Sequence, residues 1–223
     1  TKGIGLPLPE HRVLQASTVS NRDIAYGEDE AAVDECLRGL SEKSDFIVVD
    51  TPGGDDTLSR RAHSYADTLI TPMNDSFIDL DVLAKVEPDT MKIIRPSAYA
   101  EFVWENRKKR IQRDGGSIDW IVARNRLSSL DSRNRRAVAD VLTTLSNRIG
   151  FRVAPGFSER MIFRELFLKG LTLLDLRDPD AGIRLNMSHL AARQEVRMML
   201  EAIGLPETVE QDEAPRVLGS ADT

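Results

Sequence analysis

The sequence has little cysteine, no long apolar run and no excess of positive charge. Cys36 is the only cysteine among the 223 residues, so no disulfide can form within the chain, and a reducing cytoplasm is the expected compartment. No stretch approaches the roughly 18 apolar residues of a membrane-spanning helix, and no signal-peptide pattern precedes the first domain. The formal charge of −6 argues against a chain coated with basic residues, although it leaves room for a local basic face.

Patterns for a histidine metal site or a catalytic triad are also missing. His11, His63 and His189 are scattered without metal-ligand spacing, and no Ser-His-Asp or Cys-His arrangement can be argued. The hydrophobic content of 41% and charged content of 30% are typical of a globular protein. The length allows one sizeable core or two small ones.

Predicted strands and helices alternate after residues 1–27, which we interpret as a loop. Continuous or alternating apolar runs predict strands at 46–50, 67–73, 117–125 and 151–155. Apolar spacing and capping patterns, among them Ser76 with Asp79, predict helices at 28–40, 57–66, 76–86, 97–111, 132–148, 159–168 and 187–203. This alternation indicates an α/β fold with a mainly parallel sheet and helices on both faces. We interpret 1–205 as one domain and the polar, acidic tail 206–223 as disordered.

The stretch "DFIVVDTPGGDD" at residues 45–56 has a layout typical of a nucleotide site. Asp50 ends a predicted strand, and ligands of open parallel sheets gather at the carboxyl ends of strands. Its carboxylate can bind the water shell of Mg²⁺ on a nucleotide. Gly53 and Gly54 would let backbone N–H groups approach a γ-phosphate or an attacking water. The alternative is that Asp50 only caps the next helix.

Two basic clusters compete as a nucleic-acid surface. The first, "RKKRIQR" at 107–113, lies at the end of a predicted helix, where cations complement the helix dipole without any partner. The second, Arg133, Arg135 and Arg136, lies in the first turn of a predicted helix, where the dipole disfavours cations by up to about 1 kcal/mol each. A phosphate partner would explain these arginines, so we favour them as the DNA-binding residues.

Several unusual strings occur in an order that resembles one group of ATPases. They are "DFIVVDTPGGDD", "TLITPMNDSFIDLD" at 68–81, "DWIVARNRL" at 119–127 and "FRELFLKGLTLLDL" at 163–176. Together they resemble the MipZ-like members of the ParA/MinD group of deviant-Walker ATPases, from about residue 45 to about residue 203. The resemblance implies a P-loop NTPase-like fold of ParA/MinD type that uses ATP and Mg²⁺.

The resemblance also indicates where the base of the nucleotide would bind. Asn125 ends the third predicted strand, and its amide offers the donor and acceptor that match the N6/N7 edge of adenine. The loop "APGFSER" at 154–160 would form the other wall, with Pro155 as the expected contact. Alternatively, Asn125 is a turn residue and Pro155 a strand terminator. We expect Asp50 and Asn125 to flank one cleft, at its triphosphate end and its purine end.

The phosphate loop of that group, K-G-G-x-G-K-[ST], does not occur in this sequence. We therefore expect at least one βαβ element, of roughly 30 or more residues, to precede Thr1 in a longer protein, and we expect the chain alone to be inactive. If the loop is absent from the natural protein too, the alternative is a non-enzymatic scaffold that binds ParB or another partner.

The resemblance implies partners as well as a ligand. MipZ-like proteins form ATP-dependent homodimers, bind DNA without sequence preference, meet ParB and inhibit FtsZ assembly, which places the division plane. We therefore expect a cytoplasmic protein associated with the nucleoid and the cell poles. A ParA-type partitioning ATPase is the alternative. A MinD-type membrane switch is disfavoured because the end of the chain is acidic and not amphipathic.

Overall fold

The computed structural model describes residues 8–74, 76–87, 90, 92–127, 133–177 and 187–205. The strands are β1 (Thr68–Asn74), β2 (Ala84–Val86), β3 (Ile93–Pro96), β4 (Asp119–Asn125) and β5 (Arg152–Ala154). The α-helices are α1 (Arg22–Ser41), α2 (Thr57–Tyr65), α3 (Phe77–Leu80), α4 (Ala98–Asp114), α5 (Arg133–Leu145), α6 (Met161–Phe167) and α7 (Met187–Ile203). A π-helical segment, Ser146–Gly150, continues α5, and a 3₁₀ turn, Asp175–Arg177, precedes α7.

The central sheet is parallel, as the alternation of strands and helices predicts. Its strand order is β1-β4-β5, with β1 and β5 on either side of β4. A separate antiparallel pair is formed by β2 and β3. Parallel neighbours require crossover connections, which α4 and α5 provide. The α/β class with a parallel sheet is therefore confirmed.

Strand β4 is buried on both faces, which explains its nearly continuous apolar sequence. Trp120 and Val122 face the main core, which α4 and α5 cover, whereas Ile121 and Ala123 pack with Met199 of α7 on the opposite face. The indole N–H of Trp120 donates to the hydroxyl of Thr71 in β1, at 2.9 Å. This bond satisfies a buried donor that would otherwise be costly.

The helix ends follow the capping patterns of the sequence. Asn21 caps α1, Asp56 caps α2 and Ser97 caps α4, each through a side-chain oxygen that accepts from a backbone N–H of the first turn. Helix α4 ends at Gly115, whose φ of 72° is the left-handed conformation that glycine adopts without strain. Because Asn21 caps α1, this helix begins at Arg22, six residues before the start that its apolar spacing predicts.

The predicted helix at 76–86 is wrong in length. Ser76 does cap a helix, but α3 ends at Leu80, and 84–86 form strand β2. Asp79 does not complete the predicted capping pair, since its carboxylate accepts a hydrogen bond from the backbone N–H of Asn74 at 2.7 Å. Antiparallel pairing of β2 with β3 therefore overrides the helical pattern of the sequence.

The predicted strand at 46–50 is also wrong. This segment is irregular, and Val48 is 93% exposed despite its apolar side chain. A strand forms only where neighbouring strands accept its backbone hydrogen bonds. Within the described residues, β1 pairs with β4 alone, so no strand lies beside β1 to accept this run. The apolar pattern fits a buried strand, but the sheet provides no neighbour for it.

The remaining elements form a smaller core beside the sheet. Ile162 and Leu166 of α6 pack with Leu171, Leu173, Leu176 and Ala192, and this cluster joins α6 to α7. None of the described helices combines the length and the apolar character needed to cross a bilayer. The predicted tail at 206–223 lies outside the described residues.

Candidate functional site

The carboxyl ends of all three parallel strands lie at one edge of the central sheet. Asn74 of β1 pairs with Asn125 of β4 in the register of the two strands. Strands β1 and β4 therefore both end in an exposed asparagine at the same level of the sheet. Ala154 at the end of β5 pairs with Ala123, two residues before Asn125. This edge is where ligands of open parallel sheets bind.

Asn125 begins a strained turn. Its side-chain oxygen accepts a hydrogen bond from the backbone N–H of Arg126, at 2.9 Å. Arg126 has a φ of 51°, a left-handed conformation that is unfavourable for a residue with a Cβ atom. Backbone strain of this kind costs about 1–3 kcal/mol and is concentrated at functional sites. The turn fixes the direction in which the exposed Asn125 side chain leaves the sheet.

The loop after β5 is joined to the turn after β4 by backbone hydrogen bonds. The backbone N–H of Phe157 donates to the carbonyl of Arg124 at 2.9 Å, and the backbone N–H of Leu127 donates to the carbonyl of Phe157 at 2.9 Å. The backbone N–H of Glu159 donates to the carbonyl of Leu127 at 3.0 Å. The structure therefore places half-buried Pro155 on the same edge as Asn125, as the sequence predicts.

Gly156 allows this close approach, and sequence reasoning missed it. A Cβ atom at this position would lie 2.5 Å from the carbonyl oxygen of Arg124 and 2.7 Å from a methyl group of Leu127. Separations below 3.0 Å are not tolerated, so a side chain here would push the two segments apart. The Pro-Gly pair marks a turn in the sequence, but the atoms that approach it lie about 30 residues earlier in the chain.

Glu195 of α7 holds the same loop from its other side. Its carboxylate accepts hydrogen bonds from the backbone N–H and hydroxyl of Ser158, at 3.3 and 2.7 Å, and from the guanidinium of Arg160, at 2.8 Å. Burial alone would raise the pKa of Glu195, but the hydrogen bonds from Arg160 and Ser158 outweigh burial and keep this pKa below its usual value. The wall that carries Pro155 is thus anchored in the core.

Asp50, Gly53 and Gly54 lie outside the sheet. Because 46–50 forms no strand, the structure does not bring Asp50 to the edge on a strand that parallels β4. The alternative role as a helix cap does not apply either, since Asp56 caps α2 by accepting from the backbone N–H of Ser59 at 2.9 Å. Asp50 is exposed.

Gly53 and Gly54 form a bend whose conformation does not require glycine. A Cβ on Gly53 or Gly54 would meet nothing within 4 Å, and neither glycine has a left-handed φ. Arg60 of α2 holds the end of this bend through a bidentate ion pair with Asp55. The fold therefore leaves space beside both glycines, which suits a ligand that approaches the backbone.

No group of three or more His, Cys, Asp or Glu residues with metal-ligand geometry occurs in the described part of the chain. Mg²⁺ on a nucleotide needs only one or two carboxylates, because phosphates and waters complete its shell. Asp50 offers one exposed carboxylate, which is as many as such a site requires.

The arginines of the 107–113 cluster serve the fold. Arg107 donates to the carbonyl of Ile118 at 3.1 Å, and Arg110 donates to the carbonyls of Tyr65 and Ala66 and pairs with Asp67 and Asp114. Arg113 lies over the ring of Tyr65, with its guanidinium carbon 4.2 Å from the ring centre. These contacts account for the three arginines of the cluster without a nucleic-acid partner.

Helix α5 begins at Arg133, so Arg133, Arg135 and Arg136 lie in its first turn, which contains no acidic residue. Arg136 is exposed. The side chains of Arg133 and Arg135, and all of residues 128–132, lie outside the described part of the structure. Their role in DNA binding stays a prediction.

Comparisons with known proteins agree with this fold. An ATP complex of a McdA variant from Cyanothece is 17% identical, with a TM-score of 0.54, and the match covers 84% of this chain and 62% of that chain. An apo structure of McdA is 16% identical, with a TM-score of 0.47, and covers 78% of this chain and 61% of the other. The chain therefore spans less than two thirds of the length of these structures, and at 17% identity the likeness to the ATP complex concerns the fold alone. No curated protein sequence matches the chain.

A family model matches most of the chain and shows the family to which it belongs. The family described as "ATPase MipZ" matches residues 1–207, which is nearly the whole of the 223-residue chain. The chain therefore belongs to the MipZ family of ATPases.

Proposed function

We propose that this chain is part of an ATP-dependent switch that dimerises when it binds ATP. The supporting observation is that Asn125 and the Pro155 loop meet at the carboxyl edge of the sheet, in a chain that belongs to an ATPase family. The amide of Asn125 would pair with the N6/N7 edge of adenine, and Pro155 would cover one face of the base. ATP would then lie between two subunits and stabilise a homodimer.

In this proposal, Asp50 and the adjacent glycines act at the phosphate end. Asp50 would bind the water shell of Mg²⁺, and the free space beside Gly53 and Gly54 would admit the γ-phosphate or the attacking water. Magnesium would neutralise charge on the phosphates during hydrolysis. Hydrolysis would also require a phosphate-binding loop outside these 223 residues, so the experiments use the full-length natural protein.

Equilibrium binding of ATP and GTP tests the site at the base. We expect Asn125→Ala to weaken ATP binding by about tenfold, the value of roughly one hydrogen bond, and to reduce the preference for ATP over GTP. Asn147→Ala is the matched control, because Asn147 is also exposed but lies before the start of β5, at the opposite edge of the sheet. If the unmodified protein bound no ATP, the switch would be refuted and a non-enzymatic scaffold favoured.

DNA binding would depend on the first turn of α5. We expect the protein to retard DNA with ATP but not with ADP, and we expect simultaneous replacement of Arg133, Arg135 and Arg136 by alanine to abolish the shift. The control removes charges from the other basic cluster at Lys108 and Lys109, whose side chains are exposed. The control should keep the DNA shift, and both variants should keep the ATP-induced dimer. Loss of the dimer in the α5 variant would contradict a separate DNA surface.

The proposed output is inhibition of FtsZ assembly by the ATP-bound dimer, with recruitment by ParB to the nucleoid and the cell poles. The support for this step is membership of the MipZ family. Light scattering of FtsZ filaments, with and without the ATP-bound dimer, tests it. Filaments that are unaffected would favour the second candidate, a ParA-type partitioning ATPase.

A further inference from the structure

A second asparagine lies next to the proposed adenine-binding residue. Asn74 and Asn125 are paired residues of the parallel strands β1 and β4. Neighbouring strands lie about 4.8 Å apart, and paired residues of parallel strands point to the same face. In β1, Thr71 and Met73 are buried on the side of the main core, whereas Asn74 is exposed on the other side. The two carboxamides therefore leave the same face of the same sheet edge.

The turn after β1 uses the backbone of Asn74. Its N–H donates to the carboxylate of Asp79 at 2.7 Å, and its carbonyl accepts from the backbone N–H of Ser76 at 2.8 Å. Both bonds would persist with any side chain at this position. They hold the end of β1 in place and leave the exposed carboxamide of Asn74 to act on something other than the turn.

We infer that Asn74 supplies a second carboxamide to the nucleotide site, which contacts the sugar or phosphate groups; this rests on the proposed function. Strand β4 lies between β5 and β1, so the base would occupy the β5 side of Asn125, against the Pro155 loop. The sugar and phosphates then extend away from that loop, and the next strand on their side is β1, which ends at Asn74. A carboxamide can donate to phosphate oxygens and accept from a ribose hydroxyl.

Two substitutions at Asn74 test the inference by equilibrium binding to the full-length natural protein. We expect Asn74→Ala to weaken ATP binding by about tenfold while the ratio of ATP to GTP affinity stays unchanged. Asn74→Asp keeps the size of the side chain but adds a negative charge, which would repel phosphates. It should therefore weaken binding of ATP more than binding of adenosine. Thermal unfolding of both variants should match that of the unmodified protein, since the side chain is exposed.

The outcomes separate this inference from the proposed function. If both Asn74 variants bound ATP with the affinity of the unmodified protein, while Asn125→Ala lost its preference for ATP over GTP, the role of Asn74 would be overturned. The proposed adenine site at Asn125 would still stand. If the unmodified protein bound no ATP, or Asn125→Ala changed nothing, the proposed function would fail first. If Asn74→Ala changed the preference for ATP over GTP, Asn74 would contact the base, and its assignment to the sugar and phosphates would be wrong.

Discussion

Replacing Gly156 with alanine should damage the fold at the edge that carries the candidate site. The added Cβ would lie 2.5 Å from the carbonyl oxygen of Arg124 and 2.7 Å from a side-chain methyl of Leu127. Rotation of the Leu127 side chain can relieve one contact. The carbonyl of Arg124 is part of β4, whose backbone is paired with β1 at this residue, and this pairing opposes its retreat. The loop after β5 must move instead.

The cost follows from the hydrogen bonds that this movement breaks. The bonds from Phe157 to Arg124 and from Leu127 to Phe157, both 2.9 Å long, join the two segments directly at the point of contact. A typical hydrogen bond contributes about 1 kcal/mol, and partial loss of packing adds to this. We expect Gly156→Ala to lower the free energy of unfolding by about 2–3 kcal/mol.

Gly39→Ala is the matched control for this experiment. Gly39 lies inside α1, where a Cβ would meet nothing within 4 Å and φ is not left-handed. Alanine is a better helix former than glycine, so this variant should be about 0.5–1 kcal/mol more stable than the original protein. Urea unfolding measures both values, and equal m-values would show that the same structure unfolds. If Gly156→Ala changed stability by less than about 0.5 kcal/mol, the contact at Arg124 could not be a rigid one.

Two further predictions concern buried polar groups. Thr71→Val removes the acceptor of the Trp120 indole N–H and the partner of the Tyr99 hydroxyl, each 2.9 Å away. We therefore expect the free energy of unfolding, measured in urea, to fall by about 1–3 kcal/mol. Thr71→Ser keeps the hydroxyl and should lose less stability, and equal losses in the two variants would contradict the role of the hydroxyl. The folded pKa of Glu195 is below its ordinary value of 4.5, so its ion pair with Arg160 stabilises the protein above that pH and is lost as pH falls through the folded pKa. The stability difference between the original protein and Glu195→Gln should therefore shrink below about pH 4.5, and a difference that is constant from pH 3 to pH 7 would exclude this linkage.

The sequence predicts the central sheet well because its signal is local. The runs that become β1, β4 and β5 are rich in apolar residues, and β5 ends immediately before Pro155, although Pro72 lies within β1 and does not end it. Their parallel order follows from the intervening helices, since parallel neighbours need crossovers. Asn125 and Pro155 could therefore be assigned to one edge before the structure was known.

The same reasoning fails where neighbours decide the structure. Residues 46–50 are as apolar as β4, but an apolar run becomes a strand only beside a partner. Residues 84–86 follow a helical pattern, yet they pair with β3. Gly156 and Glu195 could not be identified from sequence, because their contacts join segments about 30–40 residues apart. These are tertiary effects, and a single sequence contains no record of them.

The two ends of the proposed nucleotide site differ in how the fold holds them. At the base end, Asn125 lies on a strand paired on both sides, and the Pro155 loop is fixed by backbone hydrogen bonds and by Glu195. At the phosphate end, Asp50 lies outside the sheet, and the bend beside it is held by α2 through Asp56 and Arg60. Rigid positioning favours recognition, because little order must be gained on binding. In the proposed site, adenine would therefore be recognised by groups that β4, the Pro155 loop and Glu195 already hold in place, whereas Asp50 would depend on the bend beside α2 for its position.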